Sequence, residues 1–139
     1  MSFFEQYRDA FDHLDGNAVA ALYCVPSAIA DQRGLTSWNS RESIIENMTA
    51  LCQLYQSNGY KGAHFVTGQY LLQGSDFAVA DVEWTIERQG NLEPWRFRTT
   101  YNLCRTEDGW RVLLCTAYEE KRLNAYAAST WRAAARPAG

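Results

Sequence analysis

The chain has 139 residues, 47% hydrophobic and 14% aromatic, which is enough for one domain with a real core and too short for two comfortable ones. A formal charge of -3 and a pI near 5.3 offer no basic footprint for nucleic acid or an anionic membrane. No apolar run approaches the roughly 20 residues that span a bilayer, and Met1-Ser2 leads straight into an amphipathic segment, so no signal peptide is expected and the expected location is cytoplasmic.

Phe4, Tyr7, Phe11 and Leu14 recur at helical spacing, with Glu5, Arg8, Asp9 and Asp12 elsewhere on the turn. This pattern predicts an amphipathic helix over residues 2–14. Asp15-Gly16-Asn17 breaks it. A short helix follows, with Val19, Ala20 and Leu22 turned inward, and Cys24-Val25-Pro26 is expected to stop it because proline lacks the amide proton of a continuing helix. The small apolar run Ser27-Ala28-Ile29-Ala30 reads as a strand ending on a carboxylate, Asp31. Next comes the clearest element, a long helix. Asn39 and Glu42 have capping-box-like spacing, Ile44, Ile45, Met48, Leu51, Cys52 and Tyr55 form one buried stripe, and Asn58-Gly59 is the stop.

After Gly59 the period changes to two. Strands are expected over about 60–72, 77–88, 95–106 and 110–119, separated by Gly74-Ser75, Gly90-Asn91 and Glu107-Asp108-Gly109 as in antiparallel hairpins. Ala80, Val82, Trp84 and Ile86 should face inward, as should Phe97, Thr99, Tyr101 and Leu103. The acids Asp81, Glu83 and Glu87 and the arginines Arg96 and Arg98 then share the outer face, where they can pair across strands. Leu113 and Cys115 are also assigned to that outer face. Leu123, Tyr126, Ala127, Thr130, Trp131 and Ala134 fall on one helical face, so residues 1–122 are read as the domain and 123–139 as a helical tail.

Cys24, Cys52, Cys104 and Cys115 show no ligand spacing and are read as reduced thiols. His13 and His64 form no metal motif, so neither a metal nor a cofactor is expected. The element order gives an α+β domain, with three helices against one face of a curved antiparallel sheet. Such a cone has an interior that can hold a ligand.

The segments "FFEQYRDAFDHLDGNAVAALY", "SAIADQRG", "SRESIIENM" and "DGWRV" resemble the NTF2-like (cystatin-like) superfamily, in particular its SnoaL-like and ketosteroid-isomerase-like branches, over roughly residues 3–119. In ketosteroid isomerase a first-helix tyrosine donates to the developing oxyanion and a carboxylate after the first strand is the general base. The resemblance places Tyr7 and Asp31 on these two positions. That enzyme's second oxyanion donor, a protonated aspartic acid, is replaced here by Tyr101, or by Asn102 if the register slips by one.

The resemblance therefore implies an isomerase or lyase without metal, with Asp31 as base and Tyr7 and Tyr101 as donors. Trp38, His64, Trp84 and Phe97 would line the pocket, a small apolar or polycyclic molecule would be the ligand, and the protein would be a homodimer through its sheet face. The other readings are a non-catalytic ligand-binding domain and a dimeric interaction module. In these, Tyr7 is a core residue and Asp31 only caps the loop that follows it.

Overall fold

The first helix, α1 (Phe3–Asp12), starts at a capping box in which Ser2 and Glu5 satisfy each other's backbone amides. Its buried stripe is Phe4, Tyr7 and Phe11. The helix ends at Asp12, with His13 as C-cap, and Leu14 turns out of it with a φ of 50°. The structure, a computed structural model, describes residues 2–118. The tail helix expected over 123–134 lies outside the described residues.

Asp15 caps α2 (Gly16–Ala20) through a bond from the Ala18 amide. This helix stops six positions before Pro26 and does not need the proline to end it: β1 (Tyr23–Asp31) has already begun. Pro26, after a cis peptide, sits where the β1 ladder is irregular, at a place where a missing amide proton costs nothing. A strand absent from the sequence reading follows: β2 (Gly34–Trp38) folds back on β1 through a tight turn, pairing Asp31 with Gly34 and Ser27 with Trp38.

The long helix α3 (Arg41–Ser57) is capped by Ser40, which accepts from the Ser43 amide, one position later than the expected Asn39 cap. Ile44, Met48, Leu51, Cys52 and Tyr55 are buried as expected, joined by Asn47, while Ile45 is only half-buried. The helix stops at Asn58, and Gly59 follows with a φ of 82°, a conformation that favours glycine.

The meander follows as β3 (Tyr60–Gln73), β4 (Phe77–Arg88), β5 (Trp95–Thr106) and β6 (Gly109–Tyr118). The six strands form one sheet in the order β2-β1-β6-β5-β4-β3. Every pairing is antiparallel except β1 with β6, so the sheet is mixed, where an antiparallel one was expected.

Alternation on β4 and β5 runs as the period-two pattern requires: Ala80, Val82, Trp84 and Ile86 are buried, as are Phe97, Thr99, Tyr101 and Leu103. On β6 it does not. The β5–β6 ladder shifts register between Asn102 and Leu103, and the extra residue reverses which side chains face inward. Val112, Cys115 and Ala117 are buried, and Cys115 therefore belongs to the core and not to the outer face. The core fills the concave side of the sheet, beneath α1 and α3, and is dominated by aromatic rings.

Candidate functional site

The apolar stripe of α1 sets Tyr7 against the inner face of β4 and β5. Its ring lies 5.5 Å from that of Tyr101 and 5.7 Å from that of Trp84. Its hydroxyl is 2.6 Å from that of Tyr23, which the first turn of β1 turns inward. Tyr23 in turn lies 3.8 Å from Cys115 Sγ. On the other side, Trp84 Nε1 donates to the Tyr101 hydroxyl at 3.0 Å. Three phenols, an indole, a thiol and the Thr99 hydroxyl thus meet in an otherwise apolar interior. Thr99 Oγ1 is buried without a partner of hydrogen-bond geometry among the described residues, a condition that usually marks a place for water or a ligand.

These groups surround a cavity of about 30 Å³, walled also by Phe11, Leu51, Tyr55, Phe97 and Ile86. That volume holds a water or a few heavy atoms, since one water needs roughly 10–15 Å³ on this measure. A polycyclic ligand, which takes a pocket of roughly 300 Å³ or more, does not fit this packing.

Burial holds all three phenols neutral. It is the largest cause of the raised pKa of Tyr7, helped by Tyr101 and Tyr23, and of that of Tyr23, helped by Cys115. Burial, then Cys115, also raises Tyr101, although Tyr7, Trp84 and, least, Thr99 beside its oxygen pull partly the other way. The cluster therefore acts as a set of donors, not as acids or bases. The Trp84 amine occupies a lone pair of the Tyr101 oxygen and leaves the Tyr101 proton free to be donated, and such chained bonds strengthen one another.

The residues singled out in the sequence separate into two groups. Tyr7, Tyr101, Trp84 and Phe97 line the cavity together. Trp38 is fully buried one ring behind it, edge-on to Tyr23 at 5.7 Å, so it supports the wall without forming it. His64 lies on the outer face, largely exposed and 3.8 Å from Glu87, because Ala63 takes the inward position on β3. Asp31 is not among the lining residues. It ends β1, half-exposed, and accepts the Arg33 amide at 2.8 Å across the β1–β2 turn. Its parity is nevertheless inward, two residues beyond buried Ile29. Among the described residues that line the cavity, none is a carboxylate, histidine or lysine.

Two residues that sequence reasoning missed complete the wall. Tyr23 lies in a stretch read as the end of a helix, and Cys115 was placed on the wrong face. A third, Asp12, ties α1 to β3 by accepting from Tyr60 Oη at 2.7 Å and from the Ala63 amide at 3.1 Å. Among the described residues no cluster of three or more His, Cys, Asp or Glu side chains could hold a metal ion.

A six-stranded sheet whose concave side is closed by an N-terminal helix and a long third one is the arrangement of the NTF2-like superfamily, and the family model described as NTF2-like protein (DUF6841) matches residues 1–120. The chain belongs to this NTF2-like family. No curated protein sequence matches it. Solved structures resemble this NTF2-like chain in fold. A domain of unknown function with a cystatin-like fold from Nostoc punctiforme superposes with a TM-score of 0.66 at 16% identity, covering 94% of this chain and 80% of its own. A function-unknown protein from Mycobacterium tuberculosis gives 0.68 at 13% identity, covering 95% and 89%. A ketosteroid isomerase-like protein from Erwinia carotovora atroseptica gives 0.61 at 15% identity, covering 82% and 88%. At these identities the likeness is one of fold.

Proposed function

We propose that this NTF2-like domain binds a small neutral molecule with one oxygen acceptor, such as a single-ring or short-chain ketone, inside the cone. The carrying observation is the buried donor cluster: Tyr7 and Tyr23 joined through their hydroxyls, Tyr101 accepting from Trp84 Nε1, and beside them Thr99 Oγ1, which has no partner of hydrogen-bond geometry among the described residues. A dry, purely structural core gains nothing from an orphaned hydroxyl, whose burial costs about 1–3 kcal/mol. The guest's carbonyl oxygen would take the protons of Tyr101 and Thr99, and its carbon skeleton would lie against Phe97, Ile86 and Leu51. The 30 Å³ now present admits only a few heavy atoms, so a single-ring guest would have to widen the wall as it enters, and a polycyclic ligand is given up in favour of this smaller one.

A second reading adds turnover. The inward parity of Asp31 at the end of β1 favours it, because a proton acceptor there would supply the base that the cavity wall lacks. An isomerase or lyase would then combine Asp31 as base with Tyr7 and Tyr101 as donors to the developing enolate oxygen.

The experiment is a thermal-shift screen with cyclohexanone, cyclohexenone, phenol and a four-ring ketone, followed by a proton-exchange assay next to the carbonyl for any compound that binds. Single-ring compounds are expected to raise Tm, and the four-ring ketone to leave it unchanged. A Tm rise from the four-ring compound alone would contradict the size argument, and no rise from any of them would remove the binding reading.

A further inference from the structure

Cys24 and Cys104 stand eighty positions apart in sequence, yet their sulfurs lie 3.1 Å from each other. The topology makes this unexpected. Cys24 is on β1 and Cys104 on β5, and β6 runs between them. In a regular sheet, positions two strands apart are separated by roughly 9.5 Å, beyond the Cα spacing that a disulfide tolerates. Here both ladders of β6 break register at this level: the β1–β6 pairing shifts between Tyr23 and Ala28, and the β5–β6 pairing between Asn102 and Leu103. Tyr23 and Leu103 point into the core, so their neighbours Cys24 and Cys104 share the opposite face and reach toward each other over β6. Both are free and half-buried.

We infer that Cys24 and Cys104 are a disulfide-forming pair, closed reversibly by a mild oxidant of the peroxide class. The sulfurs need approach by only about 1 Å to reach bonding distance. The guanidinium groups of Arg111 and Arg41 stand near and favour a thiolate, although burial and then Cys104 push the Cys24 thiol up to about 12. The geometry treats the two sulfurs alike: one thiol of the pair reacts first and the other resolves it.

The thiolate of one cysteine of the pair, formed by loss of its proton, attacks hydrogen peroxide. An S–O bond forms, the O–O bond breaks, and the departing hydroxide takes the thiol's proton to leave as water. The other cysteine then attacks the sulfenic sulfur: the S–S bond forms, the S–O bond breaks, and the second hydroxide leaves with that cysteine's proton as another water. Two thiols and one peroxide give one disulfide and two waters, with two electrons passed from sulfur to oxygen. Cys52 and Cys115, both buried, serve as internal controls.

The test is to treat the fully reduced full-length protein with a small excess of hydrogen peroxide, then count thiols in denaturant and map peptides without reduction. The free thiols of the four cysteines should fall to two, and one cross-linked peptide should join Cys24 to Cys104 within a single chain. Tm should rise by on the order of 10 °C, as expected for closing a long loop, and dithiothreitol should reverse it. Cys24→Ser and Cys104→Ser should each abolish both the cross-link and the rise. A thiol count unchanged by peroxide, a bond involving Cys52 or Cys115, or cross-links only between chains would each overturn the inference. Peptide mapping of the wild-type chain decides this even if a serine variant fails to fold.

Discussion

The Tyr7–Tyr23 contact of 2.6 Å sits at full burial, so each hydroxyl depends on the other. Removing one by Tyr7→Phe strands the Tyr23 hydroxyl with only a weak sulfur neighbour and should cost about 1–3 kcal/mol in urea unfolding. A variant as stable as wild type would show that the contact contributes nothing. The same burial gives a pH signature. Tyr7, Tyr23 and Tyr101 all have folded pKa values raised above the ordinary 10.0. A raised value means that the stability they contribute is complete below about pH 10 and is lost as pH rises above it, because the unfolded chain ionises first. Absorbance at 295 nm should thus show part of the phenols titrating only together with unfolding. Smooth titration of every tyrosine in a chain that stays folded would contradict this. Asp31 gives the opposite expectation. Asparagine can still accept the Arg33 amide, so Asp31→Asn should leave stability and ligand affinity unchanged. Only the catalytic reading expects a loss of about 10²–10⁴ in turnover, and unchanged turnover in the variant would remove Asp31 as a base.

The packing of α2 against α3 rests on one small residue. A Cβ on Gly16 would lie 2.6 Å from the Thr49 amide nitrogen and 2.7 Å from its Cα, and backbone cannot move aside as a flexible side chain can. Gly16→Ala should therefore destabilise the fold by about 1–3 kcal/mol, despite alanine's better helix propensity; a stabilised variant in urea unfolding would show that the helices separate freely. Element by element, the physical reasons for what was legible are plain. The meander was readable because a two-residue period and Gly-containing turns are local signals, and β4 and β5 bury the side chains that alternation names. The hairpin strand β2 was not, because Gly34–Trp38 spans only five residues and its turn lacks an Asn-Gly or Asp-Gly pair. The face of Cys115 was misassigned because one extra residue in β6 inverts parity without any mark in composition. The pairing of Cys24 with Cys104 depends on two ladder irregularities and a separation of eighty positions, which no periodicity records.

At the scale of the whole molecule the convex side of the sheet carries both signs of charge on one patch. Asp81 accepts from Arg98 at 2.8 Å, from Thr100 at 3.2 Å and from Tyr118, and Arg98 also lies 3.6 Å from Glu83. Burial would raise the Asp81 pKa, but the bonds from Arg98 and Tyr118 outweigh it and hold the carboxyl below its ordinary value. The stability this adds is present above about pH 4 and is lost as pH falls through the lowered value. Beside the patch, Leu71, paired with Val79 on the same face, is 61% exposed, more apolar surface than a solvated strand needs. A patch with both charge signs around an apolar centre is self-complementary about a two-fold axis, and a second copy of the chain is its proposed occupant. Sedimentation should find a dimer at micromolar concentration that Leu71→Asp weakens; monomer alone under those conditions would contradict the proposal.

The fold was legible because helices and hairpins are written locally. The interior was legible only in part, since Tyr7 and Tyr101 came from spacing while Tyr23 and the tightness of the cavity emerge from packing. The central claim is that the buried donors hold a small guest by its oxygen. Calorimetric titration of cyclohexanone into wild type, Tyr101→Phe and Tyr7→Phe tests it most directly. The wild-type chain should bind, and Tyr101→Phe should weaken affinity about tenfold, the loss of one hydrogen bond to a buried acceptor. Equal affinity in wild type and Tyr101→Phe, or no heat of binding in the wild-type chain, would contradict it.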